Sequence, residues 1–438
     1  MQVVYIILCI LIIWEVVRSR IDYVSIAAGS FLLYSSNCII GRVWVPQSGY
    51  FAYYASIDLE TYLLICTQML IILLFLHMKR RGIRLVFGKK NTEYADKIAP
   101  LNGIGTANGN KIYWIAILLV SIGSIIYSLV FEVGFSTFFS YITKADILEG
   151  TSFLFSLSIW GGLICFFHFY LTKRKIGTIV SAMIILISVL LGSRAYIASA
   201  LVGILIIKSF GWNQKSKNDI DTKRNTHIIV LAVIMLLFLI LYKLIYEEIR
   251  AGDFASALNV LTNPETWTNL FDIDELRIVC ANYNYTIENQ IHLPMIDVIA
   301  RFVSFIPFVN DFVPTEYPIR FSTILKEGMN TTYGLGSNFW GETYAMGGVV
   351  FLLLLTIVWI IFINRLNEKA KASKSPFIIT VVSFLSFYIH RLDWTQVMGC
   401  FKLVLIFYLI KVIFDLVFIR HNNRNFRVSS WQGKEVSQ

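Results

Sequence analysis

About eleven stretches of roughly 15–22 apolar residues recur along the chain, the length that a hydrocarbon core of about 30 Å asks of a helix. The connections between them alternate between basic and not basic. Helices are expected near 3–17, 23–40, 61–78, 112–131, 152–171, 176–192, 195–211, 227–246, 343–363, 376–389 and 398–419. Lys and Arg then gather in alternate connections, at Arg18/Arg20, Lys79–Lys90, Lys173–Lys175, Lys215–Arg224, Arg365–Lys374 and Arg420–Arg427. By the positive-inside rule these connections are cytoplasmic, which leaves the N-terminus outside and the C-terminus inside.

Composition agrees. Charged residues make up 15% of the chain, against about 25% in soluble domains, and apolar residues make up 56%. Mean hydropathy is +0.66. The net charge of +10 is absorbed by the topology signal, so nucleic acid is not the expected partner. The first apolar run, Val3–Val17, has no basic residue before it and no small-residue cleavage site after it, and reads as a retained helix. The expected fold is all-α: a polytopic integral membrane helical bundle of about eleven transmembrane helices with one large outer loop carrying short amphipathic helices. Residues 1–246 form an N-terminal bundle of eight spans, 247–341 the loop folded on the membrane surface, and 342–438 a C-terminal bundle of three spans with a basic tail.

The loop holds 12 of the 28 acidic residues together with Arg250, Arg277, Arg301, Arg320, Lys326 and His292. Within it, Leu293–Val313 is apolar but interrupted by Asp297, Arg301, Pro307 and Asp311, which suits an interfacial helix or a short re-entrant element better than a span. Cys280 is alone among the loop residues, and no cysteine spacing suggests a metal site or a disulfide framework. Asn284 and Asn330 stand in glycosylation-type triplets, a common chance match. Asp272-Ile-Asp274-Glu275 has the aspartate spacing of metal-dependent transferases but no strand pattern before it, and reads as a solvated acidic turn. No metal or other cofactor is expected.

Candidate chemistry concentrates between Tyr333 and Gly348, where glycines at 334, 336 and 341 lead into a span. A helix start there offers free N–H groups. Glu342 either caps that turn or stands as a carboxylate able to orient or deprotonate an acceptor hydroxyl. Arg194 (in Gly192-Ser-Arg-Ala195), Arg250, Arg320 and Arg391 lie at the outer surface, where topology does not require positive charge. Each either pairs with a loop carboxylate or contributes to binding a lipid-linked diphosphate, since guanidinium holds phosphate bidentately. His292 and His390 are candidate bases, with a structural role the alternative. Lys411 and Asp415, four apart in the last span, can pair on one helix face.

Two stretches carry a resemblance. Leu191-Gly-Ser-Arg194-Ala-Tyr-Ile is similar to a small-residue–Arg turn, and Ile306-Pro307 through Gly336-Ser-Asn338-Phe-Trp-Gly-Glu342-Thr-Tyr344-Ala-Met-Gly347 to a Pro-containing loop followed by Gly–Glu–x–Tyr–x–x–Gly. With the plan of spans and one large loop, the chain resembles the Wzy family of O-antigen and capsule repeat-unit polymerases. It departs from that family at the Arg-x10-Gly motif of some members, which none of Arg194, Arg250, Arg320 and Arg391 begins. The resemblance implies a metal-independent glycosyltransferase of the bacterial inner membrane, with its N-terminus and loop in the periplasm. One undecaprenyl-diphosphate-linked oligosaccharide attacks another and undecaprenyl diphosphate leaves. It further implies Arg194, Arg250 and Arg320 on the diphosphate, Glu342 on the acceptor hydroxyl, and Asn338, Tyr344, Gly336, His390 and Arg391 toward substrate. Membrane lipid and a Wzz-type chain-length regulator would be partners. The competing expectations are an O-antigen ligase and a lipid-linked oligosaccharide flippase.

Overall fold

The computed structural model describes residues 1–19, 21–46, 52–83, 107–134, 153–190, 193–212, 251–264, 274–304, 316–331 and 336–432, with isolated positions between 230 and 249 and at 306. Its helices are α1 (Gln2–Arg18), α2 (Tyr23–Tyr34), α3 (Asn37–Ile40), α4 (Leu59–Arg80), α5 (Ala107–Tyr127, continued by a π-helical turn at Ser128–Glu132), α6 (Phe153–Leu171), α7 (Lys175–Leu190) and α8 (Ala195–Phe210). They continue with α9 (Phe254–Thr262), α10 (Asp274–Glu288), α11 (Met295–Val303), α12 (Phe321–Gly328), α13 (Phe339–Ser373), α14 (Pro376–Tyr388) and α15 (Trp394–Gln432).

Among the described residues, five helices are long and apolar enough to cross a membrane: α4, Lys111–Glu132, α6, α13 and Trp394–Val417. Four others (α2, α7, α8 and Pro376–Arg391) are apolar but shorter. At 1.5 Å per residue, 16 residues reach about 24 Å, short of a 30 Å core. The molecule is an all-α protein of the multi-pass membrane type; the described residues do not confirm the count of about eleven spans, and most of the helix expected at 227–246 lies outside them. The long helices carry apolar side chains on their outer surfaces, Leu70, Leu119, Leu354 and Val358 among them. That is costly in water and neutral in lipid.

Among the described residues, basic side chains from separate connections gather at one end of the bundle. Asp22 caps α2, accepting the amides of Val24 and Ser25 at 3.1 Å. The same buried carboxylate receives Lys79 Nζ and Asn367 Nδ2, and Lys371 lies 3.8 Å away. Glu15 pairs with Arg80 at 3.0 Å. Lys411 and Asp415 do pair, but not at depth. Lys411 lies 5.9 Å from the ring of Tyr113, in the first turns of α5, so this pair belongs to the basic end too.

The opposite end holds the loop helices and a feature the sequence reading missed. Arg42–Pro46 and Ala52–Ser56 form an antiparallel hairpin pairing Arg42 with Ser56 and Trp44 with Tyr54. The composition Arg-Val-Trp-Val and Ala-Tyr-Tyr-Ala favours strand, and both strands fall in the connection between the helices expected at 23–40 and 61–78, where no element was expected. The hairpin packs against α10, and Asn284 Oδ1 of α10 accepts the amide of Asp58 at 2.8 Å. Asn284 is 2% exposed, which removes it as a glycosylation site.

The stretch from Leu293 becomes helical only over the nine residues of α11, and its amphipathicity is turned over. Met295, Ile296, Ile299 and Phe302 face outward, whereas Asp297 and Arg301 are fully buried. A helix of that polarity suits a surface where the medium outside is apolar, as an interfacial location requires. Residues 307–313 lie outside the described residues.

The charge asymmetry between the two ends makes a topological prediction. A phosphatase reporter that is active only outside the cytoplasm, fused after Asn330, is expected to be active, and the same fusion after Lys217 silent; the reverse pattern overturns the orientation.

Candidate functional site

At the loop end, α13 begins under Asn338. Its Oδ1 accepts the amides of Trp340 (2.9 Å) and Gly341 (2.8 Å), and its Nδ2 donates to Val279 O at 2.7 Å. The N-terminus is therefore capped by Asn338, not by Glu342, and Asn338 has every polar atom committed to the scaffold. After two turns the helix kinks at Gly347–Gly348, where Gly348 takes φ +65°, a conformation that favours glycine.

Glu342 projects from the first turn into the protein and is fully buried. Its Oε1 lies 3.0 Å from Arg301 Nη1, and its Oε2 accepts the amide of Trp394 at 2.7 Å. Arg301 Nη2 also reaches Asp297 Oδ2 at 2.9 Å and Ile319 O at 2.7 Å, while Asp297 Oδ1 accepts the Ile319 amide at 2.9 Å. One guanidinium thus ties α11, the segment before α12, and the start of α13, and through Trp394 the start of α15. A carboxylate so engaged is unavailable to a hydroxyl from outside, and Glu342 reads here as a tertiary anchor. Arg301 and Asp297, taken in the sequence only as interruptions, are the residues that seat the loop.

His390 is buried between two partners. Trp340 Nε1 donates to its Nδ1 at 2.8 Å, and Nε2 lies 2.9 Å from Ser30 Oγ, which itself donates to Ser386 O at 2.7 Å. Accepting at Nδ1 leaves the proton on Nε2. That tautomer cannot take a proton from Ser30, so the pair is a packing junction and not a nucleophile with its base. Tyr344 is 6% exposed, its hydroxyl 3.4 Å from Glu60 Oε1, and the exposed His292 ring lies alongside it with centroids 6.4 Å apart. On α10, the Tyr283 phenol is pushed up by burial and so stays a donor, to Gln68 Oε1 at 2.9 Å.

Beside this anchored layer opens a cavity of about 420 Å³. Ser193 and the start of α8 (Ala195, Tyr196) form one wall and Gly336–Ser337 another. Tyr388, Arg391, Asp393, Gln396 and Gly399 lie along a third, with Trp160 from α6 and Ser322 from α12 completing it. Arg391 and Gly336 are in contact across it; a Cβ on Gly336 would stand 3.3 Å from Arg391 Nε. Asp393 caps α15, its Oδ1 accepting Thr395 Oγ1 (2.6 Å) and the Gln396 amide (2.7 Å). Ser337 is 4% exposed, and its Oγ has no hydrogen-bond partner among the described residues.

The structure therefore divides the residues expected from sequence. Gly336 and Arg391 line the cavity. Arg194, half-buried, lies between two lining residues, and the exposed Arg320 lies two residues from Ser322. Glu342, Asn338, His390 and Tyr344 belong to the packed layer behind it. Arg250 and Asp272 lie outside the described residues. Asp393 and Gln396 were missed as candidates, although Asp393 stands in the same His390–Trp394 segment as Arg391; a cap and a cavity wall look alike in sequence. Among the described residues no group of His, Cys, Asp and Glu has the arrangement of a metal site.

Removing Arg301 strands two buried carboxylates. Arg301→Met is expected to cost about 3–5 kcal/mol, read as a lowered thermal midpoint in detergent micelles. Replacing Arg301, Asp297 and Glu342 together by apolar residues of similar volume should recover most of it. No family model, curated protein or solved structure matches this chain.

Proposed function

We propose that the protein is a membrane glycosyltransferase that joins undecaprenyl-diphosphate-linked oligosaccharide repeat units into a surface polysaccharide, working in the cavity at the loop end. The observation that carries this reading is the cavity's lining. Trp160, Tyr196 and Tyr388 offer flat apolar faces, and Arg391, Asp393, Gln396 and Ser337 offer donors and acceptors. A sugar ring has apolar C–H faces and a polar edge, so it calls for this mixture. At about 420 Å³ the space falls within the range of small-molecule sites.

In this reading an acceptor hydroxyl attacks the anomeric carbon of the donor, the bond from that carbon to the diphosphate oxygen breaks, and undecaprenyl diphosphate leaves. Asp393 is 2% exposed and caps α15 through Oδ1, so in this reading the hydroxyl proton passes to Oδ2, the oxygen that the cap does not use. This role passes to it from Glu342, whose oxygens are already engaged. Arg391 faces the leaving diphosphate, with Arg194 and Arg320 at the margin. A guanidinium aimed at charge that grows in the transition state is worth on the order of 3 kcal/mol, about 100-fold in rate. The transporter alternative loses its one deep ion pair, because Lys411–Asp415 lies at the basic end.

Deletion of the gene in its host, followed by electrophoresis of extracted lipopolysaccharide, tests the reading. Collapse of the ladder to core plus one repeat unit is expected. Loss of every repeat unit indicates a ligase or flippase, and an unchanged ladder excludes lipopolysaccharide as the product. In the complemented strain, Asp393→Asn and Arg391→Lys should each lower polymer length or amount about 100-fold or more while membrane levels hold. If both retain full polymerisation, the cavity is not the catalytic site.

A further inference from the structure

Two side-chain amides clasp α10 and the Gly336–Asn338 segment to each other. Asn282 Nδ2, on α10, donates to Gly336 O, and Asn338 Nδ2 donates back to Val279 O of α10 at 2.7 Å. Val279 and Asn282 are three residues apart, so both bonds leave one face of the helix. Asn282 is fully buried, and its Oδ1 has no hydrogen-bond partner among the described residues. A buried amide with an acceptor left unmet is a poor choice for stability alone. What its other atom holds is the cavity wall. Gly336 lines the cavity, and the Arg391 side chain lies against it. A Cβ on Gly336 would stand 3.3 Å from Arg391 Nε, closer than an ordinary van der Waals contact, and 3.6 Å from Arg391 Cγ. The Gly336 backbone is therefore the surface on which Arg391 rests, and a buried side chain of α10 fixes where that backbone runs.

We infer that Asn282 is a positioning residue: through Gly336 O it sets the Gly336 backbone, and through that backbone the place of the Arg391 guanidinium in the cavity. The inference rests on the reading that Arg391 faces the leaving diphosphate. Asn282 touches no substrate, and its effect reaches the reaction only by way of Arg391. Misplacing a group that acts on the transition state by about 1 Å costs on the order of 100-fold in rate. Leucine at position 282 keeps about the volume of asparagine but cannot donate to Gly336 O. Alanine at position 336 displaces Arg391 from the other side of the same contact.

The test measures initial rates of the full-length protein in detergent, on lipid-linked repeat units extracted from the deletion strain. Asn282→Leu and Gly336→Ala are each expected to lower the rate about 10- to 100-fold. Asn282→Ala, which removes the amide without adding a branched side chain, is measured beside them. In the Arg391→Lys background none of the three should lower the rate further, because the group they position is already replaced. A general packing defect would behave otherwise. Asn284→Leu is the control: on the same helix it removes a buried asparagine that accepts from the Asp58 amide, and any loss it causes should multiply with that of Arg391→Lys. Full rate in both Asn282 variants, or losses that multiply with that of Arg391→Lys, would overturn the positioning role and leave the cavity reading standing. Full rate in Arg391→Lys would overturn both.

Discussion

Arg301 is a guanidinium with no exposed surface, held between Asp297 on its own helix and Glu342 at the head of α13. Three charges taken out of water are tolerated only when each meets its opposite at hydrogen-bond distance, and breaking the set is far more costly than never having had it. Everything at the loop end depends on that condition. With Arg301 seated, α11 must turn its charged face inward and its apolar face outward. The Ile319 backbone is drawn to Asp297, and Glu342 is left to receive the amide of Trp394. The start of α15 is thereby fixed, and Asp393 and Gln396 are set on the cavity wall.

This arrangement separates two jobs that look alike in sequence. The layer of Glu342, Asn338, His390 and Trp340 is buried and turned toward internal partners, Glu342 through its Oε2 bond to the Trp394 amide and its ion pair with Arg301. The cavity beside it is lined by polar residues, among them Ser337, Arg391, Asp393 and Gln396.

Outward-facing Met295, Ile296, Ile299 and Phe302 give the same region a second property. The charged interior ties α11 to the floor of the site, while its outer face meets the apolar medium. Phe302 packs on Trp394 with ring centroids 5.0 Å apart, so the lipid-facing helix touches the residue whose amide holds Glu342.

What the sequence by itself determined was the all-helical, membrane-type architecture and the segregation of charge. Both follow from one-dimensional patterns: apolar length against a hydrocarbon core, and Lys and Arg in alternate connections. An excess of arginines and glycines where no topology rule calls for them drew notice to this region, and Gly336 and Arg391 line one cavity there. The roles were not legible. Glu342 and His390 have the residue types of catalysis, and only the tertiary structure set Arg301 against one and Trp340 and Ser30 against the other. The hairpin at Arg42–Ser56 and the reversal of α11 were likewise decided in three dimensions. Burial and partnership depend on neighbours tens to hundreds of residues away, and a sequence read by local period and spacing carries no record of who those neighbours are.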